Sequence, residues 1–157
     1  MATKVENFVN YVTKAVASDD KQLLSALKKG DNPATAYYAW GYLNRFVDIT
    51  NDIITEPYAL VAASIVKTKS KSNGHNSLGR CISKCGNEAR LRKLLSSDTT
   101  DDLCKQLRPI LRLIESKSVS IDYISLLYDL SKFQYDDEQI KAKWAKDFYN
   151  HSEYSDL

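Results

Sequence analysis

Apolar residues recur along most of this chain at helical rather than strand spacing. Val5, Phe8, Val9, Val12 and Val16 form an i, i+3, i+4, i+7, i+11 stripe, and Thr3 stands where it can cap the helix that the stripe defines. Ser18 is placed to cap a short second helix with Leu23, Leu24 and Leu27 inside and Gly30 at its end. Asn32-Pro33 reads as the start of a third, running to about Val47, with Pro33 in the first helical position. Tyr37, Tyr38, Trp40, Tyr42 and Phe46 crowd this segment beside Ala36, Leu43 and Val47; aromatics can stack on exposed bases, but at helical spacing among aliphatics the expectation is core. Thr55-Glu56-Pro57 opens the next helix, through Leu60 to Lys67.

Three further amphipathic helices fill Ser77–Arg112. Leu78, Cys81, Ile82 and Cys85 share one face; then Leu91, Leu94 and Leu95; then Leu103, Leu107, Ile110, Leu111 and Ile114. Ser120-Ile121-Asp122 starts a helix with Ile124, Leu127, Tyr128 and Phe133 inward. A last helix begins at the acids Asp136-Asp137-Glu138 and buries Ile140, Trp144 and Phe148. No stretch alternates as a strand does. The pattern predicts an all-α fold of about eight helices in two packed bundles, residues 1–75 and 76–150, with a flexible tail at 151–157.

Charge alters this ordinary picture. The total is only +2, but residues 67–112 hold eleven bases against four acids, whereas 1–66 and 113–157 are net acidic. On the helices of that middle segment the bases stand opposite the apolar stripes: Arg80 and Lys84; Arg90, Arg92 and Lys93; Lys105, Arg108 and Arg112. The loop leading in, 68–76, is polar and glycine-containing, with Lys67, Lys69 and Lys71 at its start. Basic faces on three successive helices point to an anionic partner. Because the charge is spread rather than concentrated on one recognition helix with base-reading Asn and Gln, the expected contact is with phosphate backbones, independent of sequence. Lys28 and Lys29, in the last turn of the second helix, offset its dipole or join those phosphate contacts.

Candidate chemistry is sparse. His75 and His151 lie in the loop and the tail, where neither is positioned as a general base. Cys81 and Cys85 share an apolar face, no CxxC pair exists, and with Cys104 they read as buried structural thiols rather than metal ligands. Glycines are too scattered for a phosphate-cradling loop, and Asp101 and Asp102 suit a first helical turn better than a nuclease centre. No run approaches the roughly 18 apolar residues of a membrane span. With no signal-peptide pattern and an odd number of cysteines, the expectation is a cytoplasmic, non-enzymatic protein without metal or cofactor.

The order of certain short segments is also familiar. Ser77-Leu78-Gly79-Arg80, then Asn87-Glu88-Ala89-Arg90, Gln106-Leu107-Arg108, Leu111-Arg112-Leu113 and the closing Lys143-Trp144-Ala145-Lys146-Asp147-Phe148-Tyr149 resemble the CasB family, the small subunit of the type I-E CRISPR effector complex Cascade. The resemblance is clear from Asn76 to Tyr149 and weak before about residue 50. It implies a non-enzymatic subunit of two helical bundles that sits with other Cascade subunits and a second copy of itself. It also implies contacts to the guide RNA, its DNA target and the displaced strand of the R-loop, with no membrane or small-molecule substrate. Arg80, Arg90, Arg108 and Arg112 match basic positions of the family, and Lys29 stands where the family places a base at a helix end. The chain departs at Pro109, where a second base is usual and a proline is expected to bend the helix, and at Ser96 and Thr99, where relatives carry Arg. Lys143 and Lys146 replace Arg and read as structural. The competing expectation is a helical adaptor whose basic face meets an acidic protein; a metal-dependent nuclease would need a carboxylate cluster the sequence lacks.

Overall fold

The computed structural model describes residues 2–150 and is all-α, its helices being α1 (Lys4–Ala17), α2 (Lys21–Lys29), α3 (Tyr37–Leu43), α4 (Asp52–Lys67), α5 (Leu78–Lys84), α6 (Glu88–Leu95), α7 (Thr100–Ser116) and α8 (Tyr123–Asn150). The expected tail, with His151, lies outside the described residues. The chain divides into two compact units, one ending at Asn73 and the other starting at Gly74.

In the first unit α4 is the central helix, buried from Pro57 through Ile65 and packed by α1, α2 and α3. Phe8 of α1 is fully buried and meets Phe46 and Tyr58 edge-on, at 5.0 and 4.8 Å between centroids, a favoured geometry for aromatic quadrupoles. Three local expectations need correction. Asp20, not Ser18, caps α2, its carboxylate accepting from the Leu23 N–H at 3.3 Å. Next, α4 starts at Asp52, ahead of Thr55-Glu56-Pro57. Pro57 stands within its second turn, where it forfeits one backbone hydrogen bond while its ring joins the core.

The third correction concerns the segment after Pro33. Asn32 Oδ1 accepts from the Ala34 N–H at 3.0 Å, and the Thr35 hydroxyl donates to the Lys29 carbonyl at 2.8 Å. These side-chain bonds satisfy the backbone in turns, so the helix starts only at Tyr37. Seven residues bury just Ala39 and Leu43, one narrow stripe. At 100° per residue, Tyr37, Tyr38 and Trp40 miss that stripe and are 55, 47 and 46% exposed, not core.

In the second unit α5 lies along the end of α8, and α6 and α7 pack beside α5. The contact is closest at Gly79, where an added Cβ would overlap the Trp144 carbonyl oxygen and stand 2.7 Å from Asp147 Cβ and 2.9 Å from Phe148 N. A parallel bridge from Asn76 to Ile121 ties the entry of α5 to the entry of α8, with the Asp122 N–H donating to the Asn76 carbonyl at 2.8 Å. The separate last helix expected at Asp136 is joined to the one before it: α8 passes through a kink at Asp136, whose φ and ψ are −135° and 37°. Tyr128 is half exposed, contrary to expectation, because Tyr123, Leu126, Leu130 and Phe133 define a stripe on the opposite side of the helix.

One buried polar cluster joins the two halves of α8. Lys143 Nζ pairs with Asp129 at 2.9 Å, and the Trp144 indole N–H donates to the same carboxylate at 3.1 Å. Lys143 is thus a structural base, as its sequence context suggested. Burial raises the Asp129 pKa above its ordinary 3.8, against the opposing hydrogen bond and charge of Lys143 and the Trp144 hydrogen bond. Trp144 is 1% exposed, so Asp129→Ala orphans its N–H and lowers unfolding stability by ~1–3 kcal/mol in denaturant titrations. A carboxyl with a raised folded pKa binds its proton more tightly when folded. Its contribution is therefore fully present below 3.8 and is lost as pH rises through the folded value. The stability difference between the wild type and Asp129→Asn accordingly moves against the wild type over that rise.

Candidate nucleic-acid interface

The basic helices are started by side-chain caps. Ser77 accepts from the Arg80 N–H at 3.4 Å, Asn87 from the Arg90 N–H at 3.1 Å, and Thr99 from the Asp102 N–H at 3.1 Å. Arg80 and Arg90 thus occupy the same position, third in the helix, and Ser-Leu-Gly-Arg and Asn-Glu-Ala-Arg are two versions of one cap-to-arginine device. Beyond the caps, Leu78, Cys81 and Ile82 of α5, Leu91 and Leu94 of α6, and Leu103, Leu107, Ile110, Leu111 and Ile114 of α7 are buried. That burial fixes which way the polar faces turn.

Arg80 and Lys84 of α5, Arg92 and Lys93 of α6, and Lys105 and Arg112 of α7 are exposed, while Arg90 and Arg108 are half-buried. Each of the three helices packs against the other two, so these eight bases belong to a single three-helix cluster. On α7, Lys105, Arg108 and Arg112 follow i, i+3, i+7 spacing along one face. The helix continues through Pro109 to Ser116, although Pro109 has no backbone N–H to give to the helix. Lys29, Lys67, Lys69 and Lys71, all exposed, belong instead to the first unit, where Lys69 adopts a positive φ of 54° just past the end of α4.

Two of the bases hold carboxylates along their own helices: Arg92 pairs with Glu88 and Lys105 with Asp101, each at 3.1 Å. Glu88 also accepts from the Tyr149 hydroxyl at 2.9 Å. Exposed i, i+4 pairs such as Lys105–Asp101 contribute only about 0.3–0.5 kcal/mol, whereas Glu88 is the more enclosed carboxylate. Of the three thiols, Cys81 and Cys104 are buried as expected, whereas Cys85 is only half-buried. Burial pushes the Cys81 thiol up to about 12, and among the described residues no group of His, Cys, Asp and Glu is assembled to hold a metal ion. No helix among them is long and apolar enough to cross a membrane.

The family model for the CRISPR-associated protein Cse2 matches residues 23–149. The chain belongs to the Cse2 family. Solved structures agree on the fold. CasB from Thermus thermophilus superposes with a TM-score of 0.78 at 22% identity, over 95% of this chain and 99% of that one. M. ruber CasB gives 0.71 at 21%, over 96% and 95%. A chain of a CRISPR RNA-guided surveillance complex gives 0.73 at 21%, over 98% and 95%. No curated protein gives a significant match to the sequence. The Cse2 match covers α5, α6, α7 and all but the last residue of α8, the region where the short segments resemble CasB. Two features of this Cse2 chain escaped sequence reasoning. Gly79 lies in the Ser-Leu-Gly-Arg segment but carries no signal of its close approach to α8, and the exposed rings of α3 are hidden by their own hydrophobicity.

Proposed function

We propose that this Cse2-family chain is the non-catalytic small subunit of a type I-E CRISPR surveillance complex, working in the cytoplasm against invading DNA. In that role it grips the backbones of guide RNA, target and displaced strand and stabilises the R-loop. The observation that carries the reading is the three-helix cluster whose solvent sides hold Arg80, Lys84, Arg90, Arg92, Lys93, Lys105, Arg108 and Arg112. Exchanging a DNA duplex for a guide–target heteroduplex is nearly balanced in energy, so a few phosphate contacts are enough to tip it. Arginines and lysines on rigid helices supply such contacts without reading bases, which suits a subunit that must serve any guide. Lys29 and the Lys67–Lys71 segment add phosphate contacts from the first unit. A second copy and the other subunits extend the track beyond the reach of one chain.

Filter binding of single-stranded and duplex DNA across a salt series tests this. The wild type gives a log–log slope of about −0.7 per phosphate neutralised on a single strand, and Arg108→Ala with Arg112→Ala flattens it by roughly 1.4 while leaving helicity unchanged. A salt-independent wild type would overturn the proposal, and tight capture of an acidic protein with no nucleic acid retained would favour an adaptor.

A further inference from the structure

The aromatic cluster of the first unit is built, not merely exposed. Tyr37 and Tyr38 stack at 4.5 Å between centroids with 26° between planes, and the Lys29 ammonium stands 4.3 Å from the centre of the Tyr38 ring. Lys29, Tyr38 and Tyr37 are thus in contact in series, and Trp40 meets Tyr37 edge-on at 6.4 Å and 72°, making a corner beside it. The three rings are about half exposed, against Trp144 at 1%. Around the corner, α3 carries no charged residue, Gly41 has open space where a side chain would be, and Lys28 and Lys29 are exposed at the end of α2. Lys29 makes no ion pair among the described residues; its ammonium is held over a ring rather than by a carboxylate.

From this geometry we infer that Tyr37 and Trp40 form a stacking platform for unpaired nucleobases of a single strand whose phosphates are met by Lys28 and Lys29. Flat π-faces on a preset stack suit bases, which stack without regard to identity, and adjacent lysines supply the charge that the backbone requires. The inference rests on the nucleic-acid reading and adds a second mode to it: α5–α7 hold backbone, whereas α3 holds bases and so favours the strand that is not in a duplex.

Fluorescence of the full chain tests the platform, because its two tryptophans differ so sharply in exposure. A single-stranded oligothymidylate titrated at low salt quenches Trp40 and leaves the buried Trp144 emission in place. An abasic strand of the same length binds through its phosphates without that quench. Tyr37→Ala and Trp40→Ala each weaken oligothymidylate binding by roughly 5- to 150-fold, the range for one stacked base, with no loss for the abasic strand. Trp40→Phe keeps the affinity. Equal binding and equal quenching by both strands overturn the platform while leaving backbone binding intact, whereas binding of neither overturns the broader reading. Unchanged oligothymidylate affinity in both alanine variants, with loss of a co-purifying protein subunit, assigns the rings to a protein contact and overturns the inference as well.

Discussion

Gly79→Ala unseats α5 and lowers the stability of the second unit by ~3 kcal/mol or more, read as a loss of helical signal at lower denaturant concentration. The methyl group has no room. It would lie against the Trp144 carbonyl oxygen, 2.7 Å from Asp147 Cβ and 2.9 Å from Phe148 N, and two of those three atoms are backbone that cannot rotate aside. Overpacking in a well-packed interior typically costs ~1–3 kcal/mol, and here relief requires the whole of α5 to retreat from α8. The loss should not stay local. Leu78, Cys81 and Ile82 are all at or below 2% exposure and would open together, and Arg80 and Lys84 would lose their fixed direction. Gly79→Ser, of similar bulk but polar, should fail equally, which separates crowding from a requirement for an apolar side chain.

Replacing Arg80, Arg90, Arg108 and Arg112 together by alanine has the opposite signature. The fold persists, because none of these side chains is fully buried, but nucleic-acid affinity collapses. Four lost phosphate contacts flatten the single-strand salt slope by roughly 3. At about 1 kcal/mol each they also weaken binding by about a thousandfold at low salt. Circular dichroism with unchanged ellipticity alongside that loss is the expected pair of results. A variant that binds as tightly as the wild type would move the anion contact elsewhere on the chain.

The two variants mark where the sequence was informative. Basic faces on α5, α6 and α7 could be read directly, because regular amphipathic helices put Leu91 and Leu94, or Leu103, Leu107 and Ile110, on one side and force the bases to the other. The caps at Ser77, Asn87 and Thr99 use residue types that favour the position, but it is the structure that shows them in that role. The α3 region was not: a string of aromatics looks like core to any hydrophobicity argument, and only the local bonds of Asn32 and Thr35 shorten the helix enough to turn three rings outward. Pro57 misled for a related reason. Proline prefers the first turn, but in α4 it was accommodated further in, since the burial of its ring and neighbours offsets one absent hydrogen bond. Gly79 lay beyond reach because its constraint comes from residues 65 positions later in the chain.

That separation has a consequence during synthesis. The ribosome releases α1 to α4 first, and every helix that packs on α4 lies before it in the chain. Leu78–Lys84 emerges next, but the backbone that seats it, Trp144 to Phe148, is not yet made. At the usual ~5–20 residues per second, those 65 positions amount to about 3–13 s in which α5 lacks its main packing partner. Helix α5 therefore waits for its main packing partner until the last helix arrives, and closure of α8 over Gly79 is the event that fixes the direction of Arg80 and Lys84.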